Sequence, residues 1–155
     1  MYLVLKLLHV AAVILFLGNI TTGLFWKAHG DRSGDARIMA HTLDGIIRSD
    51  RLFTIPGVLA ITAAGIAAVL EGDLPILGTG WIWQSIVLFS LSGVAFVWRI
   101  APLQVRLRAL AREGVERGGL DEAQYRRVSR VWELWGLVGV LAPVGALALM
   151  VLKPA

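Results

Sequence analysis

The sequence contains no cysteine among its 155 residues. That absence removes disulfides, thiolate nucleophiles, zinc–thiolate centres and iron–sulfur clusters together. Methionine is scarce, with only Met1, Met39 and Met150 present, so a copper path lined by soft ligands has too few of them. No HExxH helix, no glycine-rich phosphate loop and no paired carboxylates within an apolar stretch occur. No serine and histidine fall at matching positions for nucleophilic catalysis. Whether the chain is an enzyme is left open by this inventory. Charged residues make up only 17% of the chain, and their distribution carries more information than their number.

Four stretches carry no Asp, Glu, Lys or Arg. They run for 20 residues between Lys6 and Lys27, 19 between Arg51 and Glu71, 25 between Asp73 and Arg99, and 19 between Glu133 and Lys153. About 20 apolar residues in a helix cross the ~30 Å hydrocarbon core of a bilayer. The apolar fraction is 57%, against about 45–50% in soluble domains. Val10–Leu17 and Val138–Leu152 have no polar face to offer water, which a soluble helix requires. The expected fold is therefore an all-α, integral membrane four-helix bundle forming one domain over residues 1–155, with spans near 3–26, 52–70, 79–101 and 133–152. The first apolar run has no basic n-region before it and no small-x-small cleavage site after it, so it is expected to be a retained helix.

Thirteen of the fifteen lysines and arginines fall in the connections after the first and third spans. The positive-inside rule places those connections in the cytoplasm and both termini outside, in the inner (cytoplasmic) membrane. The net charge of +4 then belongs to a membrane surface, not to a nucleic-acid partner. All six tryptophans lie at expected span ends, where an amphipathic indole is favoured. Between Ser33 and Asp50 the apolar residues Ala36, Met39, Ala40, Leu43, Ile46 and Ile47 share one helical face. An amphipathic helix lying on the cytoplasmic membrane surface is expected there. The third and fourth spans are expected to extend as a cytoplasmic helical hairpin that breaks at Gly118-Gly119 and restarts at a capping box formed by Asp121 and Gln124. Ala60, Ala64 and Ala68 form a ridge of small residues, expected to pack closely against another helix of the chain or of a second copy.

Polar residues inside the spans must find partners without water. On the first helix His9, Ala12, Phe16, Asn19 and Gly23 recur at spacings of three and four and form one stripe. Its small and polar members place His9 toward the bundle. An inward histidine at membrane depth reads either as an axial ligand of heme b or as a proton-relay or interhelical hydrogen-bonding residue. His29 and His41 fall in the first connection, so a second ligand from the same chain would be Met150, a weak candidate. Asn19, Arg99 and Glu133 are expected to meet as a structural polar cluster near the inner face. No metal site other than heme iron at His9 is indicated.

Met1-Tyr2-Leu3-Val4-Leu5-Lys6-Leu7-Leu8-His9, Gly18-Asn19, Asp50-Arg51-Leu52-Phe53-Thr54 with Pro56-Gly57, and Pro102-Leu103 resemble a bacterial family of small predicted integral membrane proteins of unknown function. A more distant likeness is to HemJ-type protoporphyrinogen oxidases. Tyr2, Lys6 and His9, Arg51-Leu52 with Pro56, Gly80-Trp81 and Leu152-Lys153-Pro154 are similar to that family's pattern. The resemblance implies heme ligation by His9. The chain departs from the pattern at Leu24-Phe25-Trp26-Lys27, where a Pro-Arg pair is expected, and at Gln84 and Ser85, where a lysine is. The CopD family shares the plan of a histidine-bearing first helix. Two functions stay open: heme b bound at His9 for redox chemistry or heme handling, and a non-catalytic accessory or scaffold subunit that packs against itself or a larger membrane complex.

Overall fold

The computed structural model describes residues 1–154. Four long helices account for nearly all of it: Tyr2–Arg32, Ala36–Glu71, Gly80–Arg117 and Glu122–Leu152, each long and apolar enough to cross a membrane. The first and last are α1 (Tyr2–Arg32) and α6 (Glu122–Leu152). The second and third are each divided by one widened turn, giving α2 (Ala36–Ser49) and α3 (Ile55–Glu71), then α4 (Gly80–Ala95) and α5 (Ala101–Arg117).

The widened turns have a local cause. Ile55 N–H donates to the Asp50 carbonyl and Ala101 N–H to the Phe96 carbonyl, a five-residue reach. Pro56 and Pro102 follow immediately. A proline ring inside an α-helix clashes with the carbonyl four residues back and offers that carbonyl no N–H. A single π-type turn just before the ring moves the crowded carbonyl aside without breaking the helix. Pro143 is handled differently. It lies buried within α6, and the carbonyl it deprives of a partner is that of Gly139. Ser92 Oγ of α4 donates to the Gly139 carbonyl at 2.8 Å, so a neighbouring helix satisfies the acceptor where lipid cannot.

The bundle has a charged end, holding both basic connections, and a terminal end, holding Met1 and the C-terminal residues. In the apolar region α1 packs on α3 and α4 packs on α6, with a lighter contact between α1 and α6. No Cα atom of α3 lies within 8 Å of one in α4. At the charged end the second and third helices do meet, through α2 and α5. The main core is there, built on Met39, Leu43, Ile100, Leu107, Ala111, Tyr125 and Trp132. A smaller core of Ala12, Phe16 and Ile61 holds α1 to α3, with Phe16 edge-on to Phe89 of α4 at 5.6 Å.

The amphipathic helix forms where its periodicity places it, with Asp35 accepting from Arg37 N–H at 2.7 Å as its cap. Its apolar face, however, meets protein. Met39, Ala40 and Leu43 pack in the core with Leu107 and Ala111 of α5, and α2 runs continuously into α3. An apolar stripe has the same spacing whether lipid or a helix covers it, so the expected membrane-surface placement is corrected here. Asp44, at the edge of that face, receives Arg108 at 3.3 Å and Arg112 at 2.7 Å from the same α5. Burial pushes its carboxyl up, and the two guanidinium groups more than offset this, leaving it below the usual carboxylate range.

The helical hairpin between α5 and α6 turns at Gly118, whose φ of 72° is left-handed, a conformation glycine adopts without steric cost. Asp121 then accepts from Gln124 N–H at 2.9 Å to start α6. The expected alanine ridge on α3 is not the surface that makes the closest approach. Ala60 is exposed, while Ala64 and Ala68 are half-buried. The tight face lies beside it: a Cβ on Gly57 would sit 3.4 Å from Phe16, and one on Gly65 would sit 3.1 Å from the His9 ring.

Candidate functional site

The polar stripe of α1 faces the bundle, and the structure gives each of its members a partner or a packing role. Asn19 lies seven residues before Trp26 on α1, about 10 Å deeper into the apolar region at 1.5 Å per residue. There its Nδ2 donates to Thr54 Oγ1 at 2.9 Å and to Asp50 Oδ1 at 3.3 Å. Thr54 Oγ1 donates to Asp50 Oδ1 at 2.7 Å, and Gln104 Nε2 of α5 donates to Asp50 Oδ2 at 3.0 Å. Asp50 and Thr54 belong to the widened turn before Pro56, and Gln104 follows the matching turn before Pro102. Asp50 is 7% exposed and Gln104 4%. Among the described residues no Lys, Arg or His nitrogen lies within 4.0 Å of the Asp50 carboxyl. A buried carboxyl held only by neutral donors is unusual, because buried charges ordinarily pair with a charge.

This cluster borders a cavity of ≈ 330 Å³. Phe16, Ile20, Val58, Phe89, Phe96, Ile100 and Val140 line it, with Asp50, Thr54 and Gln104 toward the charged end. Ile55, Leu59 and Val97 also line it and are exposed on the bundle surface. The cavity therefore communicates with the membrane side through the separation between α3 and α4. Trp132 forms part of its wall and is 3% exposed, yet its Nε1–H has no hydrogen-bond partner among the described residues. A buried, unsatisfied indole donor costs about 1–3 kcal/mol, and such a group calls for an explanation.

Below the cavity, at the charged end, Lys27 is almost fully enclosed at 2% exposure. Its ammonium bonds to Asp31 and Ser129 and lies 3.7 Å from Glu133 Oε1. The same nitrogen sits 5.4 Å from the Tyr125 ring centroid and 5.3 Å from that of Trp132. Tyr125 donates to Asp31 Oδ1 at 2.7 Å. This network ties the end of α1 to α6.

His9 turns inward and its Nδ1 lies 2.9 Å from the Ile61 carbonyl, which accepts only if Nδ1 carries the proton. That tautomer leaves Nε2 as the ring's free lone pair. Met150 is half-buried near the end of α6. Neither His9 nor Met150 lines the cavity beside Asp50. No group of three or more His, Asp or Glu side chains suited to a metal ion occurs among the described residues. Asn19, Arg99 and Glu133 do not come together. Asn19 turns to Asp50, Arg99 stacks at 5.7 Å over the Trp135 ring, and Glu133 accepts from Ser129 at 2.8 Å. Asp50, Gln104, Trp132 and Lys27 were not anticipated as site residues. Lys27 had a signal: the stripe of His9, Ala12, Phe16, Asn19 and Gly23, continued at the same spacing, lands on Lys27 and Gly30, both buried.

A family model described as predicted integral membrane protein (DUF2269) matches residues 3–154. No curated protein and no solved structure matches the chain.

Proposed function

We propose that this chain, which belongs to the DUF2269 family of integral membrane proteins, is a membrane-embedded binding protein that takes a lipid-borne molecule sideways between α3 and α4 and holds it beside Asp50. The observation that carries the reading is the cavity of ≈ 330 Å³, apolar on most sides, with the buried carboxyl of Asp50 at its polar end. Small-molecule sites have this character: apolar walls with a few placed polar groups. The basic connections set the orientation of the reading, with the charged end cytoplasmic and the termini periplasmic in the inner membrane. Asp50 then lies in the inner half of the bilayer. Alkaline phosphatase fused after Lys153 should be active and the same enzyme inserted at Gly118-Gly119 inactive; the reverse pattern would invert the site in the membrane.

The binding test uses the purified protein in phosphatidylcholine nanodiscs and a dibrominated alkyl probe, which quenches tryptophans that it approaches. Saturable quenching is expected in the wild type. Gly93 lines the cavity, and a Cβ there meets no atom within 4 Å, so Gly93→Phe fills the space without a backbone clash. The saturable component should vanish in that variant. Quenching without saturation, or equal quenching in both proteins, would return the chain to the role of an accessory subunit packed against itself or a larger complex.

A second reading has its own observation. An imidazole that donates Nδ1–H to a backbone carbonyl is oriented as metal-ligating histidines usually are, and His9 does so toward Ile61. A heme b at His9 would have to approach from outside the Asp50 cavity, since His9 does not line it. A Soret band in protein from heme-supplied cells, lost in His9→Ala, is the result this reading expects. No band after reconstitution with hemin removes it.

A further inference from the structure

We infer that the molecule held in the cavity carries a positively charged nitrogen on an apolar body: it is an ammonium amphiphile. The inference rests on the binding reading above and names its ligand class. The Asp50 carboxyl receives three neutral donors, from Asn19, Thr54 and Gln104, at 2.7–3.3 Å. Donors aimed at a carboxyl favour its charged form, whereas burial favours the neutral one. Oδ1 accepts two of them and Oδ2 one, so Oδ2 keeps acceptor capacity. Among the described residues no cation lies within 4.0 Å of this carboxyl. A cation that would favour the charged form of this buried carboxyl must therefore come from outside the chain.

A small inorganic cation is a poor match. Such ions seek about six or more oxygen ligands, and the remaining walls are hydrocarbon. An ammonium group needs one carboxylate for its charge and places its carbon substituents against the phenylalanines. An anionic amphiphile would meet no cationic side chain in the lining. The cavity lining holds no lysine, arginine or histidine, so Asp50 is its one ionisable group.

The test compares three ligands of one chain length in nanodiscs of phosphatidylcholine: N-dodecylethanolamine, dodecanol and dodecanoate. Binding is read as the tryptophan fluorescence change, corrected for protein-free nanodiscs. Wild type should bind the amine at least tenfold more tightly than the alcohol and show no saturable dodecanoate signal. Asp50→Asn should bring the amine to the level of the alcohol and leave the alcohol unchanged. Equal binding of all three ligands, lost in Gly93→Phe, would keep the cavity as a binding site and overturn the ammonium class. No saturable binding of any ligand would overturn both. The three ligands are compared on the wild-type chain, so the outcome does not depend on how well Asp50→Asn folds.

Discussion

Lys27→Met is the sharpest probe of what holds the charged end together. Methionine keeps the aliphatic stem that packs between Tyr125 and Trp132 and removes only the ammonium. The loss has identifiable parts. The ammonium's bonds to Asp31 and Ser129 disappear, and hydrogen bonds involving a charged group contribute about 1.5–3 kcal/mol. Two ring contacts near 5.4 Å go with them, each about 0.5–1 kcal/mol where exposed and more where desolvated. Removing one partner of a buried pair costs about 3–5 kcal/mol when the other charge is left buried. Asp31 is 25% exposed and Glu133 55%, so water reaches the acids left behind. An expected cost of about 2–3 kcal/mol follows, below the range for a fully buried pair.

The measurement is reversible unfolding in mixed micelles, followed by tryptophan fluorescence and helical circular dichroism. Asp31→Asn is made alone and with Lys27→Met to close a double-mutant cycle. Asparagine still accepts from Tyr125, so the double variant should recover part of the loss, with a coupling of about 1 kcal/mol or more. A Lys27→Met protein within about 0.5 kcal/mol of wild type, the range of ordinary surface substitutions, would refute the reasoning. It would mean that the desolvation of Lys27 cancels the gain from its partners.

Other expectations follow from single contacts. Ser92→Ala should cost about 1 kcal/mol by leaving the Gly139 carbonyl without a donor, and Pro143→Ala added to it should recover that loss because residue 143 regains an N–H; unfolding in micelles checks both. Gly65→Leu should destabilise by about 1–3 kcal/mol through overpacking against His9, whereas Ala60→Leu, on an exposed position, should leave unfolding and oligomer size unchanged. His9→Ala should cost about 0.6–1.7 kcal/mol, the range for interhelical hydrogen bonds in membranes, without altering probe binding in the Asp50 cavity.

The four helices were legible because lipid imposes a one-dimensional rule: charges must stop where hydrocarbon begins, and the sequence marks those points. The inward face of α1 was legible for a similar reason, since three- and four-residue spacing of small and polar residues has few other uses in a bilayer. Choices between neighbouring faces were not. On α3, Ala60-Ala64-Ala68 and Gly57-Ile61-Gly65 both repeat every fourth residue, and only the position of α1 decides which is covered. The apolar stripe of α2 likewise fits a membrane surface or a partner helix equally well, until α5 is known to lie beside it.

Asp50 illustrates the limit most clearly. In the chain it stands next to Arg51 at the edge of a charge-free stretch, where a carboxylate reads as part of the solvated connection. Its burial depends on two facts that adjacency cannot carry. The wide turn before Pro56 keeps the helix continuous, so Asp50 remains on the span and is not released into a loop. Gln104 arrives from a different helix after an identical device at Pro102. The same Asp50 side chain thus leaves water and meets three donors, while Arg51 beside it stays exposed. Two prolines that look like helix breakers are what keep a carboxyl group buried between continuous helices. The two widened turns thus bring Asp50, Thr54 and Gln104 together from separate helices.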